Sequence, residues 1–222
     1  MKHNFLFSQY LLRKFYEISL FRSSISFIHS LSYKHFLFIL AIVSFTGIAS
    51  CKKKSELPRF PLGGNFTLTD HDGKKFSLSE SKGKAVLLFF GYTNCPDACP
   101  TILSRLKNLL KNKNIDSGKI KILFVSVDPE RDRPEKLKNY LEYYNIGAIG
   151  LTGNINEIAA AAKLFGVYYN KRIIDSKTLY AVDHTTTLFV LDTNGDVRHL
   201  FRYADDERVL VPVLKLILEN AN

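Results

Sequence analysis

A single α/β domain, its central sheet covered by helices on both faces, is what the sequence predicts, and three observations carry that prediction. Two apolar runs, AVLLFFGY at 85–92 and IKILFVSV at 120–127, have the length and composition of strands buried on both faces. Segments of helical period separate and follow these runs. An Asp-Gly or Asn-Gly turn between alternating segments stands near each end of the domain, the signal of a hairpin. With 222 residues, 46% of them hydrophobic, the chain is long enough to bury one sizeable core.

The domain is assigned to residues 65–222. NFTLTDHDGKKFSL, residues 65–78, alternates apolar and polar positions around Asp72-Gly73 and predicts the first hairpin. Ala85 to Tyr92 is the first buried strand. Beyond it Ile102, Leu103, Leu106, Leu109 and Leu110 recur with helical period. Pro100 lacks an N–H and fits only the first helical turn, so this helix should begin between Asp97 and Cys99, with Asp97 as its cap. Ile120 to Val127 is the second buried strand, and Leu137, Tyr140, Leu141 and Tyr144 mark another amphipathic helix. Ala148 to Leu151 reads as a short strand and the alanine-rich Ile155 to Phe165 as a helix. Thr186 to Asp192, Asn194-Gly195 and Val197 to Phe201 make the second hairpin. A last helix carries Leu210, Val213, Leu214, Ile217 and Leu218, and Pro212 should start or kink it. Strands alternating with helices imply βαβ units. A leading hairpin, a strand feeding a cysteine loop that opens a helix, and a closing hairpin with a final helix together predict a thioredoxin-like layout.

Residues 1–50 are set apart as a signal segment. FLFILAIVSFTGIA, from Phe36 to Ala49, follows Lys34-His35 and precedes Cys51 and three lysines, the charged, apolar and small-residue order of an export signal. It is shorter than the roughly 20 residues that span a bilayer comfortably. The ending Ile48-Ala49-Ser50-Cys51 resembles a bacterial lipobox, so Cys51 is expected to be lipidated, with 51–64 an anchor and linker marked by Pro58, Pro61 and Gly63-Gly64. An uncleaved membrane-spanning helix is the alternative, and either arrangement tethers the domain outside the cytoplasm, in a bacterial cell envelope. The aromatic and basic lead from Met1 to Tyr33 serves no export purpose, and translation is expected to start near Leu31. The chain has 31 Lys+Arg against 21 Asp+Glu, a net +10. The first fifty residues hold Lys2, Arg13, Lys14, Arg22 and Lys34 against Glu17, leaving 26 bases and 20 acids elsewhere. No basic run is interleaved with aromatics, so no nucleic acid is expected as partner.

Two of the three cysteines, Cys95 and Cys99, lie in GYTNCPDACPT at 91–101, where a buried strand gives way to a helix. Spacing of four in a helical turn brings their side chains to one face, close enough to share a ligand or to bond. A helix N-terminus favours thiolate, so both sulfurs should be reactive. A plain structural disulfide explains the pair poorly, since so short a loop removes little chain entropy. Two soft sulfurs with an imidazole suit Cu(I). Of the six histidines, His3, His29 and His35 belong to the signal segment, His71 to the first hairpin turn and His199 to the last hairpin. His184 stands just before the strand from Thr186, and in a thioredoxin-like sheet the loop entering that strand lies beside the cysteine loop. A lone histidine is ordinarily structural, and this topology is what singles out His184. A structural zinc site would need a fourth ligand.

GYTNCPDACPT, VSVDPERDRP at 125–134 and YAVDHTTTLFVLDTNG at 180–195 are together similar to the SCO/SenC family, copper-handling proteins of cytochrome c oxidase assembly. The resemblance runs from about Phe66 to the end. It implies a membrane-tethered metallochaperone, rather than an enzyme, that binds copper as Cu(I) or Cu(II) through Cys95, Cys99 and His184. It also implies that Cys95 and Cys99 can form a disulfide. The partner it implies is the copper-bearing subunit of cytochrome c oxidase, or another copper protein, to be loaded or reduced. By the same resemblance Asp128 lines the mouth of the site, against the plainer reading of a turn after a strand; Arg131 and Asp132 are either a docking surface or solvated. The alternative function is a thiol:disulfide oxidoreductase or peroxide-reducing enzyme with Cys95 and Cys99 as nucleophile and resolving thiol. Against it stand the CxxxC spacing, where redox motifs have CxxC, and the absence of proline in Asp183-His184-Thr185-Thr186.

Overall fold

In the computed structural model Ala85–Gly91, buried along its whole length, is β3, a central strand of the main sheet. The described residues are 56–112, 114–176 and 179–221. Before β3 stand β1 (Thr67–Asp70) and β2 (Lys75–Ser77); after it come α1 (Ala98–Leu110), β4 (Ile120–Ser126), α2 (Pro134–Glu142), β5 (Ile149–Thr152) and α3 (Ile155–Leu164). Then follow β6 (Tyr169–Ser176), β7 (Leu179–His184), β8 (Leu188–Leu191), β9 (Val197–Phe201) and α4 (Leu210–Glu219). Seven strands form one mixed sheet in the order β2-β1-β5-β4-β3-β8-β9. β3, β4 and β5 are parallel neighbours, joined by crossovers through α1 and α2, and the remaining pairings are antiparallel.

Alternation along β3 divides the interior in two. Ala85, Leu87 and Phe89 face a layer with Leu103 and Leu106 of α1, Leu137 of α2 and Leu214 of α4. Val86, Leu88 and Phe90 face a layer with Ile158, Ala161 and Phe165 at α3. Both faces of β3 are thus apolar, as its uninterrupted run requires. The predicted α/β architecture, a central sheet flanked by helices with a hairpin in front, is the one observed.

Local differences have local causes. The first hairpin turns at Gly73, with φ +80°, and Asp70 Oδ1 accepts the N–H groups of Asp72 and Lys74 at 2.9 and 2.8 Å. Asp97 occupies the N-cap position of α1 but makes no side-chain cap; its carboxylate accepts the Tyr203 hydroxyl at 3.1 Å. Pro212 lies third in α4, within the first turn, so it starts that helix and does not kink it. Thr186 and Thr187 stay outside β8, which begins at Leu188.

The element that the sequence reading missed is the β6–β7 hairpin, a two-stranded sheet of its own with Tyr169 opposite His184. Its signal was present in β7, where Tyr180 and Val182 are buried and Asp183 between Val182 and His184 is exposed.

The stretch at 57–64, expected as linker, lies on the domain. Phe60 N–H donates to Val197 O at 2.9 Å, Gly63 N–H donates to Leu164 O at 2.8 Å, and Leu57, Phe60 and Leu62 pack against the core. The signal segment, the start near Leu31 and the lipidation of Cys51 fall outside the described residues. No helix among the described residues is long and apolar enough to cross a membrane.

Candidate metal centre

The site forms where β3 ends. A Cβ on Gly91 would stand 2.6 Å from Cys99 Sγ, 2.9 Å from the Phe89 ring and 3.0 Å from the Phe124 ring, so the absence of a side chain there is what admits the Cys99 sulfur. The chain turns at once, Cys95 N–H donating to Tyr92 O at 3.2 Å, and enters α1 with Cys99 as its second residue. Cys95 is half-buried and Cys99 fully buried, and no disulfide joins them. Cys99 N–H points at Cys95 Sγ, 3.5 Å away.

His184, the last residue of β7, completes the cluster. Its Nε2 lies 3.6 Å from Cys99 Sγ, and the two sulfurs and the ring nitrogen all lie within 4.8 Å of one another. The imidazole meets the rings of Phe89 and Tyr92 edge-on, at centroid separations of 6.1 and 5.6 Å. Its Nδ1 is 3.0 Å from Thr185 O. A carbonyl oxygen only accepts, so Nδ1 carries the proton and Nε2 presents its lone pair to the sulfurs. This is the tautomer a metal-binding imidazole needs, fixed by a backbone partner on its far side.

The sulfurs are not equivalent. A hydrogen bond from the Cys99 thiol, with further support from the backbone N–H groups of Cys99 and Asp97, outweighs burial and pulls Cys95 down to about 4. Burial, reinforced by the Cys95 thiolate, pushes Cys99 up. The pair therefore keeps one proton, on Cys99, and exposes one thiolate, on Cys95. The expectation that both would be reactive is corrected: the helix N-terminus favours thiolate, but for Cys99 burial prevails.

His71 Nδ1 accepts Gly150 N–H at 3.2 Å, a structural role. His199 is half-buried on β9, where burial lowers its pKa. Asp128, expected at the mouth of the site, is fully buried; its carboxylate accepts Arg131 Nε–H and the Tyr180 hydroxyl, the latter at 2.8 Å. Arg131 is only partly exposed and Asp132 is buried, and both are engaged within the domain. Arg131 lies on the Tyr180 ring at 3.6 Å. Asp132, also fully buried, accepts Thr93 N–H at 2.8 Å, Thr93 Oγ1–H at 2.6 Å and Ser126 Oγ–H at 2.8 Å, pinning the cysteine loop to the end of β4. Sequence reasoning missed this anchor because a buried acid in a charged string looks like a surface one.

Among the described residues this triad is the one group of three or more His, Cys, Asp or Glu placed to hold a metal ion. Two soft sulfurs and one imidazole suit a low-coordinate soft ion, and the fourth protein ligand of a structural zinc site is missing among the described residues.

Known proteins share this chain's sequence pattern and fold. The SCO2-like protein of Rickettsia felis is 34% identical over 151 residues, which make up 67% of this chain and 74% of that one. The mitochondrial protein SCO2 of Saccharomyces cerevisiae is 40% identical over 136 residues, 60% of this chain, and the match spans 45% of that longer protein. Among solved structures, Bradyrhizobium japonicum ScoI with copper bound superposes with a TM-score of 0.63 at 37% identity, covering 71% of this chain and 99% of that one. The SCO1/SenC family model matches residues 54–219, and with that match the chain belongs to the SCO1/SenC family.

Proposed function

We propose that this protein carries copper, holding one Cu(I) on Cys95 Sγ, Cys99 Sγ and His184 Nε2 and passing it to the copper-bearing subunit of cytochrome c oxidase or to another copper protein. The observation that carries the reading is the approach of three soft or borderline donors to within 4.8 Å, with the imidazole lone pair turned inward. Three ligands leave room for an incoming ligand from a partner, so the metal moves by stepwise exchange without release to water. Oxidation of the two thiols to a disulfide removes two donors at once, which makes copper affinity depend on redox state. Cu(II) on the same ligands is part of the proposal. So is a bacterial cell-envelope location, with the domain tethered through a lipidated Cys51; the mass of the N-terminal peptide of the mature protein tests the tether.

One observation favours a second reading. A half-buried Cys95 thiolate beside a buried Cys99 thiol is also the arrangement of a nucleophile and its resolving partner. In that chemistry Cys95 attacks a partner's disulfide, a mixed disulfide forms, and Cys99, giving up its proton, displaces the partner as a dithiol. The Cys95–Cys99 pair is left oxidised and the partner reduced by two electrons. Anaerobic Cu(I) titration beside an insulin-reduction assay separates the two. Binding of one copper per chain with negligible turnover is expected; fast turnover and no copper retention would overturn the carrier reading.

A further inference from the structure

His184 reaches the sulfurs from a ribbon that shares no strand ladder with the seven-stranded sheet. Apart from the short link to β8, which begins four residues later at Leu188, side chains fix its position. Tyr180, Val182 and His184 alternate along β7 and face the domain together. Two grips hold the first two of them. Val182 N–H donates to the Tyr92 hydroxyl at 3.3 Å, and Tyr92 O is the acceptor that turns the cysteine loop. At Tyr180 the hold is stronger. The Arg131 guanidinium lies on the ring with Cζ 3.6 Å from its centroid, and Nη1–H donates to Tyr180 O at 2.9 Å. Arg131 Nε–H goes to one oxygen of Asp128, and the Tyr180 hydroxyl donates to the other at 2.8 Å. Asp128 is fixed in turn by β4: its N–H donates to Ser126 Oγ at 3.1 Å, and its carbonyl accepts the N–H groups of Arg131 and Asp132 at 3.2 and 2.9 Å. Arg131 Nη2 is buried without a hydrogen-bond partner among the described residues, a cost that an arginine placed only for surface charge does not meet.

The geometry points to Arg131 as a positioning residue for His184: a latch, closed through Asp128 and Tyr180, that seats β7 where the imidazole meets Cys95 and Cys99. This deepens the copper reading and rests on it. Arg131 grips the strand by ring and carbonyl at once, four residues before the ligand. The extended backbone between them, with Val182 held at its midpoint, transmits that hold. Lysine in its place keeps a cation near Asp128 but loses the planar stack and the paired Nε and Nη1 donors. Removing the charge altogether would leave a buried carboxylate uncompensated and endanger the fold. The informative variants are therefore Arg131→Lys and Tyr180→Phe, the latter keeping ring and stack while deleting the bond to Asp128.

The test is a double-variant cycle on the reduced protein, with Cu(I) affinity read against a chromophoric chelator and folding by thermal melting. Arg131→Lys is expected to lower affinity by about 10- to 100-fold, the range for a group that orients a metal ligand, and Tyr180→Phe by less. Because the latch acts through the imidazole, Arg131→Lys combined with His184→Ala should bind no more weakly than His184→Ala alone. Additive losses in the double variant, or parent affinity in a folded Arg131→Lys protein while His184→Ala is weakened, would overturn the latch and leave the copper reading standing. Parent affinity in His184→Ala would overturn both. If Arg131→Lys fails to fold, Tyr180→Phe run through the same cycle decides.

Discussion

Cys99 and His184 stand 3.6 Å apart, yet the structures that hold them share little. Cys99 packs against the end of β3, a strand with ladder partners on both sides and every residue buried. His184 ends a ribbon whose Ile173 and Ile174 are 65% and 58% exposed and whose attachment to the domain is made by side chains. One half of the site is thus built into the most constrained part of the fold, the other into a part able to open locally. Local opening of the ribbon would withdraw the nitrogen and leave the sulfurs in place, in keeping with the copper-carrying role proposed above.

Four measurements can break or sharpen this contrast. The largest effect is expected from Phe124→Ala, which empties a fully buried site in the layer beneath the sulfurs. It should cost about 3–5 kcal/mol in denaturant titration. Gly91→Ala comes next: its methyl would meet Cys99 Sγ at 2.6 Å, costing about 1–3 kcal/mol of overpacking and weakening Cu(I) binding through the sulfur half alone. His184→Ala should lower Cu(I) affinity by at least about tenfold, roughly 1.4 kcal/mol, with the melting temperature nearly unchanged. Ile173→Ser, on the exposed ribbon, should change stability by no more than about 0.5 kcal/mol. Hydrogen exchange run beside these variants should show β6 and β7 amides exchanging well before those of β3.

The sulfurs add a dependence on pH. Cys95 is an acid whose folded value, about 4, lies below its ordinary one, so its thiolate persists as pH falls and is lost only near that value. Its alkylation rate should stay flat from neutral to mildly acidic pH and drop toward about 4, while Cys99 stays unmodified. Cu(I) binding near neutrality should release about one proton, that of Cys99. A release near two would show that Cys95 is protonated in the free protein, contrary to this asymmetry.

Much of this was legible in the sequence. AVLLFFG and IKILFVS announced the central parallel pair because both faces of those strands are covered, leaving β3 without a polar residue and β4 apolar from Ile122 to Val125. The cysteine pair was legible because Pro100 fixes where α1 starts. His184 was found by topology, although the ribbon it ends was not. Val182 and Tyr180 carry the inward alternation, but β6 is mostly polar and exposed and gives no apolar pattern to read. The difference between the two sulfurs, and the inward turn of Asp128, Arg131 and Asp132, could not be read, because burial of a charged string is decided by tertiary packing.

The hydrogen bond from Phe60 to Val197 has a consequence for how the protein is approached. Val197 pairs with Leu191, and Leu191 with Val86, at the beginning of β3, whereas the triad gathers at its end. About 17 Å of extended strand, from Val86 to Gly91, separates the two levels. Phe60 therefore meets the domain at the pole opposite the donors. Under the tether proposed above, lengthening or shortening the residues before Glu56 would change the standoff of the donors from the anchor, as moving the foot of a lamp changes its height without touching the bulb.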